Sequence, residues 1–215
     1  MNPKPRIILM SKWHAAKRCK QRLAKDIGIE SAAKIQKQVT LHTISVAKKI
    51  EEQGFADIFL SISGLGPKAS NRWAKSVGIK NILNQGKGCL GLRMRRQILR
   101  TCSIHPIPKN RKSPAIILGT DLPTLCERDL IEAINALKTH SMTLGPANDG
   151  GYWLIGLSKE LINPLTIWPF DGIPWGTNIV LQTTIKKALE KDIQINFLRH
   201  QNDLDQLEDF YPWLN

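Results

Sequence analysis

Four cysteines are few for 215 residues, and Cys19, Cys89, Cys102 and Cys126 show no C-x-x-C spacing. Neither a zinc knuckle nor a redox pair is indicated, and they read as reduced thiols of a cytosolic protein. No apolar run approaches the ~18 residues of a membrane span, so no membrane insertion is expected. The run Ile7 to Met10 is also too short for an export signal. No G-x-x-x-x-G-K-[ST] occurs, and no G-x-G-x-x-G is expected to join a strand to a helix, which sets aside the P-loop and ordinary dinucleotide folds. G-x-S-x-G and H-E-x-x-H are also missing. The remaining expectation is a soluble, cytoplasmic protein without a familiar hydrolase or ATPase signature.

Acid is missing from a long stretch as well. Residues 58–112 contain twelve Lys and Arg and no Asp or Glu, while thirteen of the eighteen acids follow residue 112. The chain is electrostatically two-sided, with a net charge of +13. That balance favours anionic partners, whether nucleic acid, an acidic surface or a phosphorylated metabolite, and it also fits a solvated basic face. Only Phe59 and Trp73 are aromatic in the basic stretch, so stacking platforms for single strands are lacking, which argues against nucleic acid as the partner.

At 42% hydrophobic residues the chain has the side chains for a core, and its length suits one domain over residues 1–215. Strand-length apolar runs alternate with amphipathic stretches, which predicts an α/β fold. Strands are expected at 6–11, 56–63, 79–83, 115–120, 141–145, 152–157 and 194–198. Helices are expected at 29–53, 67–77, 88–102, 124–139 and 178–191, with Thr124–Glu127 as a capping box and Thr177 as a cap. Ile35, Val39, His42, Val46 and Ile50 form one helical stripe, in which His42 reads as a packed or bridging histidine. Prolines make 103–114 a loop, and residues near 145–175 should add an antiparallel element to a mostly parallel sheet.

Three segments can carry chemistry. In GTDLPTL (119–125), Asp121 ends a buried strand, where open α/β sheets bind ligands and where a carboxylate can hold Mg²⁺ or Mn²⁺. It could equally close a turn. In GPANDGGYWLIGL (145–157), Asp149 precedes two glycines between strands, a place for close ligand approach but also ordinary hairpin chemistry. SKWHAAKRCKQRL (11–23) follows the first strand with Lys12, Lys17, Arg18, Lys20 and Arg22, either a phosphate contact or a wet helical face.

Together and in this order, these segments resemble the small bacterial glycosyltransferase-like proteins associated with arsenosugar biosynthesis. Those proteins have a nucleotide-diphospho-sugar transferase (GT-A) type fold, shared with nucleotidyltransferases such as 2-phospholactate guanylyltransferase. QGKGCLGLRM (85–94), FDGIPWGT (170–177) and NDLDQLED (202–209) extend the likeness over almost the whole chain. The resemblance implies a three-layer α/β/α sandwich with a mostly parallel mixed sheet. It also implies a metal-dependent transferase using a nucleotide sugar donor and a small-molecule acceptor.

On the matching positions, Asp121 would hold the metal with Asp203 or Asp205. Lys12, Lys20 and Arg22 would face phosphate. Asp149 would receive the acceptor proton, and Gly150, Gly151 and Trp175 would form the sugar and acceptor pocket. The chain departs from the pattern at Ala16 and Lys17, where the first loop has Pro and Gly, and at Cys89 and Leu92, which replace acids.

Overall fold

The computed structural model describes residues 4–104, 113–162, 171–205 and 207–209. The rest of the proline-rich loop, Phe170 of the tryptophan-bearing segment, Gln206 and the end of the chain lie outside the described residues. The elements run β1 (Arg6–Lys12), α1 (Leu23–Ile27), α2 (Ile29–Glu52), β2 (Asp57–Ser63), α3 (Pro67–Ser76), β3 (Asn81–Asn84), α4 (Leu90–Ile104) and β4 (Ala115–Gly119). They continue with α5 (Glu127–Ala136), β5 (Met142–Pro146), β6 (Tyr152–Leu157), α6 (Lys159–Ile162), α7 (Val180–Leu189) and β7 (Ile195–Phe197).

The seven strands form one mixed sheet in the order β3-β2-β1-β4-β6-β5-β7. All neighbours are parallel except those of β6, which runs against both β4 and β5. The expected antiparallel element is therefore β6 alone, and it lies inside the sheet rather than on its edge. Near-continuous apolar runs build the parallel strands because both faces are covered. Ile7 and Leu9 pack with Ile44, Ala47 and Ile50 of α2 and Leu130 and Ala133 of α5. Ile8, one residue out of phase, joins Met94 and Ile98 of α4, Leu161 of α6 and Ala188 of α7 on the other face. This alternation makes the three layers.

Local chemistry explains where expectation and structure part. Helix α5 starts at Glu127, not at Thr124, because Cys126 N–H donates to the Asp129 carboxylate at 2.8 Å, while Thr124 turns away to Gln201 at 2.9 Å. Thr177 does not cap α7 either. Its hydroxyl donates to the Pro174 carbonyl at 2.8 Å, and the helix begins at Val180. His42 bridges from α2 to the Leu125 carbonyl oxygen at 2.9 Å, as its stripe position suggests. Among the described residues no helix is long and apolar enough to cross a membrane.

Candidate active site

All strands but β6 end at the same rim, and β6 begins there. Strand β4 delivers Asp121 to this rim, just past the strand's last residue, Gly119. The β5–β6 turn delivers Asp149, and the segment after β7 delivers Asp203 and Asp205. That last segment is held by a bridge between Ala147 and Gln201 and by Leu204 N–H, which donates to the Asp121 carbonyl oxygen at 3.1 Å. Residues remote in sequence thus meet through backbone bonds.

Arg22, Asp121, Asp149, Gly151, Trp175, Asp203 and Asp205 line one cavity of about 560 Å³. Tyr152 and Asn178, which sequence reasoning passed over, line it too. Tyr152 and Trp175 meet edge to face at 6.3 Å between ring centroids, giving the cavity an aromatic wall beside its acids. Burial pushes the Tyr152 phenol well above its usual range, so it stays protonated.

The acids are not equivalent. Asp203 has its carboxyl pushed up to about 6, first by burial and then by the neighbouring charges of Asp149, Asp205 and Asp121. Asp149 accepts the Gly151 N–H through Oδ1 at 2.8 Å, on an exposed turn that lines the cavity. Asp121 accepts from Gln36 Nε2 of α2 through Oδ1. Its Oδ2 stands 3.6 Å from Lys20 Nζ, which also reaches Asp205 Oδ1 at 3.2 Å. Behind Asp121 a buried chain runs from Gln36 to Thr40, Thr120 and Ser11. Gln36 could have been suspected only as a glutamine lying beside the apolar stripe of a helix.

Three expected residues, Lys12, Lys20 and Gly150, do not line the cavity. Lys12 ends β1 exposed, opposite Ser63, and Lys20 is buried behind the carboxylates. Gly150 has φ +84, and any Cβ there would strike the Asn178 backbone, so this glycine permits close packing of the 150 turn on the start of α7. Lys17 adopts φ +67, the left-handed region that suits the glycine of the resembled pattern.

The middle motif is stapled from α4. Arg93 donates to Gln85 Oε1 at 2.8 Å, Arg96 to the Lys87 carbonyl at 2.8 Å, and Arg100 to the Asn84 carbonyl at 2.7 Å. Buried Gln85 itself donates to the Ser11 and Ser61 carbonyls at 3.0 and 3.1 Å. Gly86, Gly88 and Gly91 do form a strand-linked G-x-G-x-x-G between β3 and α4, contrary to expectation. It follows an edge strand, and no acid stands some twenty residues on to hold a ribose, so the dinucleotide reading still lacks its other parts.

The donor set at the rim is oxygen throughout, the chemistry of Mg²⁺ or Mn²⁺. Among the described residues no three His, Cys, Asp or Glu groups converge tightly enough to hold an ion by themselves. One or two carboxylates completed by phosphate oxygens and water suit such an ion.

Residues 46–177 match the family described as uncharacterized protein conserved in bacteria (DUF2064). No curated protein matches the chain significantly. Among solved structures, a candidate nucleotide-diphospho-sugar transferase from Desulfovibrio desulfuricans G20 superposes with a TM-score of 0.81 at 24% identity, over 98% of this chain and 85% of that one. Rv0371c of Mycobacterium tuberculosis H37Rv, in complex with manganese, gives 0.56 at 17% identity, over 100% and 99%. The 4-diphosphocytidyl-2C-methyl-D-erythritol synthase of Anaerococcus prevotii DSM 20548 gives 0.57 at 13%, over 96% and 94%. These likenesses establish a nucleotide-diphospho-sugar transferase type of fold.

Proposed function

The chain belongs to the DUF2064 family, and on that premise we propose that it is a metal-dependent glycosyltransferase acting as one domain over residues 1–215. It moves a sugar from a nucleotide-diphospho sugar to the hydroxyl of a small acceptor. The observation that carries this reading is the single cavity in which Asp121, Asp203 and Asp205 share the lining with an aromatic wall of Tyr152 and Trp175, with Arg22 at its edge. A bound Mg²⁺ or Mn²⁺ supplies charge neutralisation for the departing diphosphate. The manganese complex of a protein with the same fold supports that choice of ion class.

The chain's own residues do the rest. Asp121 and Asp205 present carboxylate oxygens to the ion. Arg22 faces the diphosphate and holds its charge as the bond to the sugar breaks. Trp175 and Gly151 shape the sugar and acceptor space. Asp149 keeps Oδ2 available to accept the acceptor's proton as the new oxygen–carbon bond forms, and the nucleoside diphosphate leaves. Lys12 lies on the exposed approach to this rim. The narrower likeness to proteins of arsenosugar biosynthesis belongs to the same proposal.

A second reading is nucleotidyl transfer, joining a nucleoside triphosphate to a phosphorylated acceptor with release of pyrophosphate. The similarity of fold to a 4-diphosphocytidyl-2C-methyl-D-erythritol synthase favours it. The two are separated by incubating the protein with Mn²⁺ and, in turn, nucleotide sugars or nucleoside triphosphates. Donor-dependent release of nucleoside diphosphate supports glycosyl transfer. Pyrophosphate release with triphosphates, and none of the former, overturns it.

A further inference from the structure

Lys20 stands where a phosphate-binding cation would not. Its side chain is 1% exposed, and its ammonium lies between Asp205 Oδ1 at 3.2 Å and Asp121 Oδ2 at 3.6 Å. Asp121 has no idle oxygen, since Oδ1 already accepts from Gln36. Gln36 is buried in α2 and tied to Thr40 at 3.1 Å, so it is the less movable partner. Lysine, by contrast, carries its charge on a flexible four-carbon stem.

A divalent ion bonds carboxylate oxygen at about 2.0–2.2 Å. Bound to Asp121 Oδ2 and Asp205 Oδ1, it would take the ammonium's own position or stand within about 4 Å of it, where two cations out of bulk water repel strongly. We propose that the Lys20 ammonium and the divalent ion are alternative occupants of the gap between Asp121 and Asp205. The lysine keeps the carboxylates paired until the ion arrives, and then leaves. This rests on the metal-dependent reading above and adds that ion uptake is an exchange of cations. It also explains how carboxylates at a half-closed rim stay assembled without an ion, a state in which unpaired charges would be costly.

The exchange is tested with Mn²⁺ itself, followed by the electron paramagnetic resonance signal of the free ion. Lys20→Met should bind Mn²⁺ on the order of tenfold more tightly than wild type, since no ammonium must be displaced. Its thermal midpoint should fall in EDTA and recover with Mn²⁺. Equal or weaker affinity, or a loss of midpoint that Mn²⁺ leaves untouched, overturns the proposal.

Wild type provides a second measurement that does not depend on the variant folding. Amine acylation read by mass spectrometry should label Lys20 several-fold faster with Mn²⁺ than in EDTA, with exposed Lys68 as the reference. Unchanged or slower labelling of Lys20 overturns the exchange. Wild type that takes up no Mn²⁺, with UDP or GDP or alone, removes the metal reading and the exchange together. Equal uptake by both proteins removes only the exchange.

Discussion

The two halves of the rim use charge in opposite ways. Beside β3, the guanidiniums of Arg93, Arg96 and Arg100 are engaged by Gln85 and by loop carbonyl oxygens. Those partners carry no countercharge, so the arginines act as staples that keep their positive field. Across β4, β6 and β5 four carboxylates gather with Lys20 buried between two of them. A protein of net charge +13 thus has an acidic cavity. The summed charge of a segment says little about where charge is available, because bonding partners differ residue by residue.

Several substitutions would break or sharpen that contrast. The largest effect is expected behind the acidic half, where Arg199 makes two bonds to the buried Asp129 carboxylate. Burial would raise that carboxyl, but the Arg199 and Cys126 bonds outweigh it and hold it below its usual value. Its stabilisation is therefore complete above the unfolded value near pH 4 and is lost as pH falls further. Arg199→Ala should cost about 3 kcal/mol at pH 7 in urea denaturation, and less at pH 3. An equal cost at both values would show that the pair is not the source.

Next comes Asp121→Asn, which should lower Mn²⁺-dependent donor turnover about a hundredfold or more, equivalent to ~2.7 kcal/mol, while leaving the thermal midpoint in EDTA within a few degrees. Unchanged turnover would detach the acidic half from the chemistry. Asp203→Asn tests mutual repulsion within that half. With its carboxyl raised to about 6 in the folded state, wild type binds an extra proton and loses stability as pH rises from about 4 through 6. In EDTA, the Asp203→Asn variant should lack that slope and gain ~1–2 kcal/mol above pH 6 relative to wild type. A pH profile parallel to that of wild type would contradict the clustering.

Arg22→Ala should weaken nucleoside-diphosphate binding about tenfold by calorimetry, roughly 1.4 kcal/mol, while exposed Arg72→Ala should change it little at about 0.15 M salt. Equal losses would return the binding to the basic stretch as a whole. The smallest effect is at Lys17, whose left-handed backbone costs about 1 kcal/mol; Lys17→Gly should raise stability by somewhat less, because glycine gains freedom in the unfolded chain. A destabilised variant would mean that the lysine makes a contact of its own.

Much of the architecture is readable because strands covered on both faces must be apolar throughout. Strand β4 and the acid that follows it can be found on that ground alone. His42 is readable from its stripe. Other features depend on partners that no local pattern reveals. Gln36 is an ordinary helical residue until the fold places Asp121 against it, 85 positions away. Lys20 looks like its neighbours Lys12 and Arg22, yet its left-handed backbone turns it inward. Periodicity locates β6 but cannot tell that it enters the sheet between β4 and β5. The glycines after β3 are legible as well, since Gly86, Gly88 and Gly91 fall between the strand expected at 79–83 and the helix expected at 88–102, so the expectation that no G-x-G-x-x-G is strand-linked conflicts with the sequence itself.

The reversed strand β6 also bears on the order in which the protein assembles. Its hairpin with β5 closes over a handful of residues, so Asp149 reaches its place through local contacts that form quickly. Asp203 and Asp205 reach theirs only when the segment after β7 docks on Pro146 and Asp121, contacts that close long loops of chain. A folding intermediate that already has its central strands would still lack half of the carboxylates, so ion uptake should report the completed native state rather than collapse of the sheet.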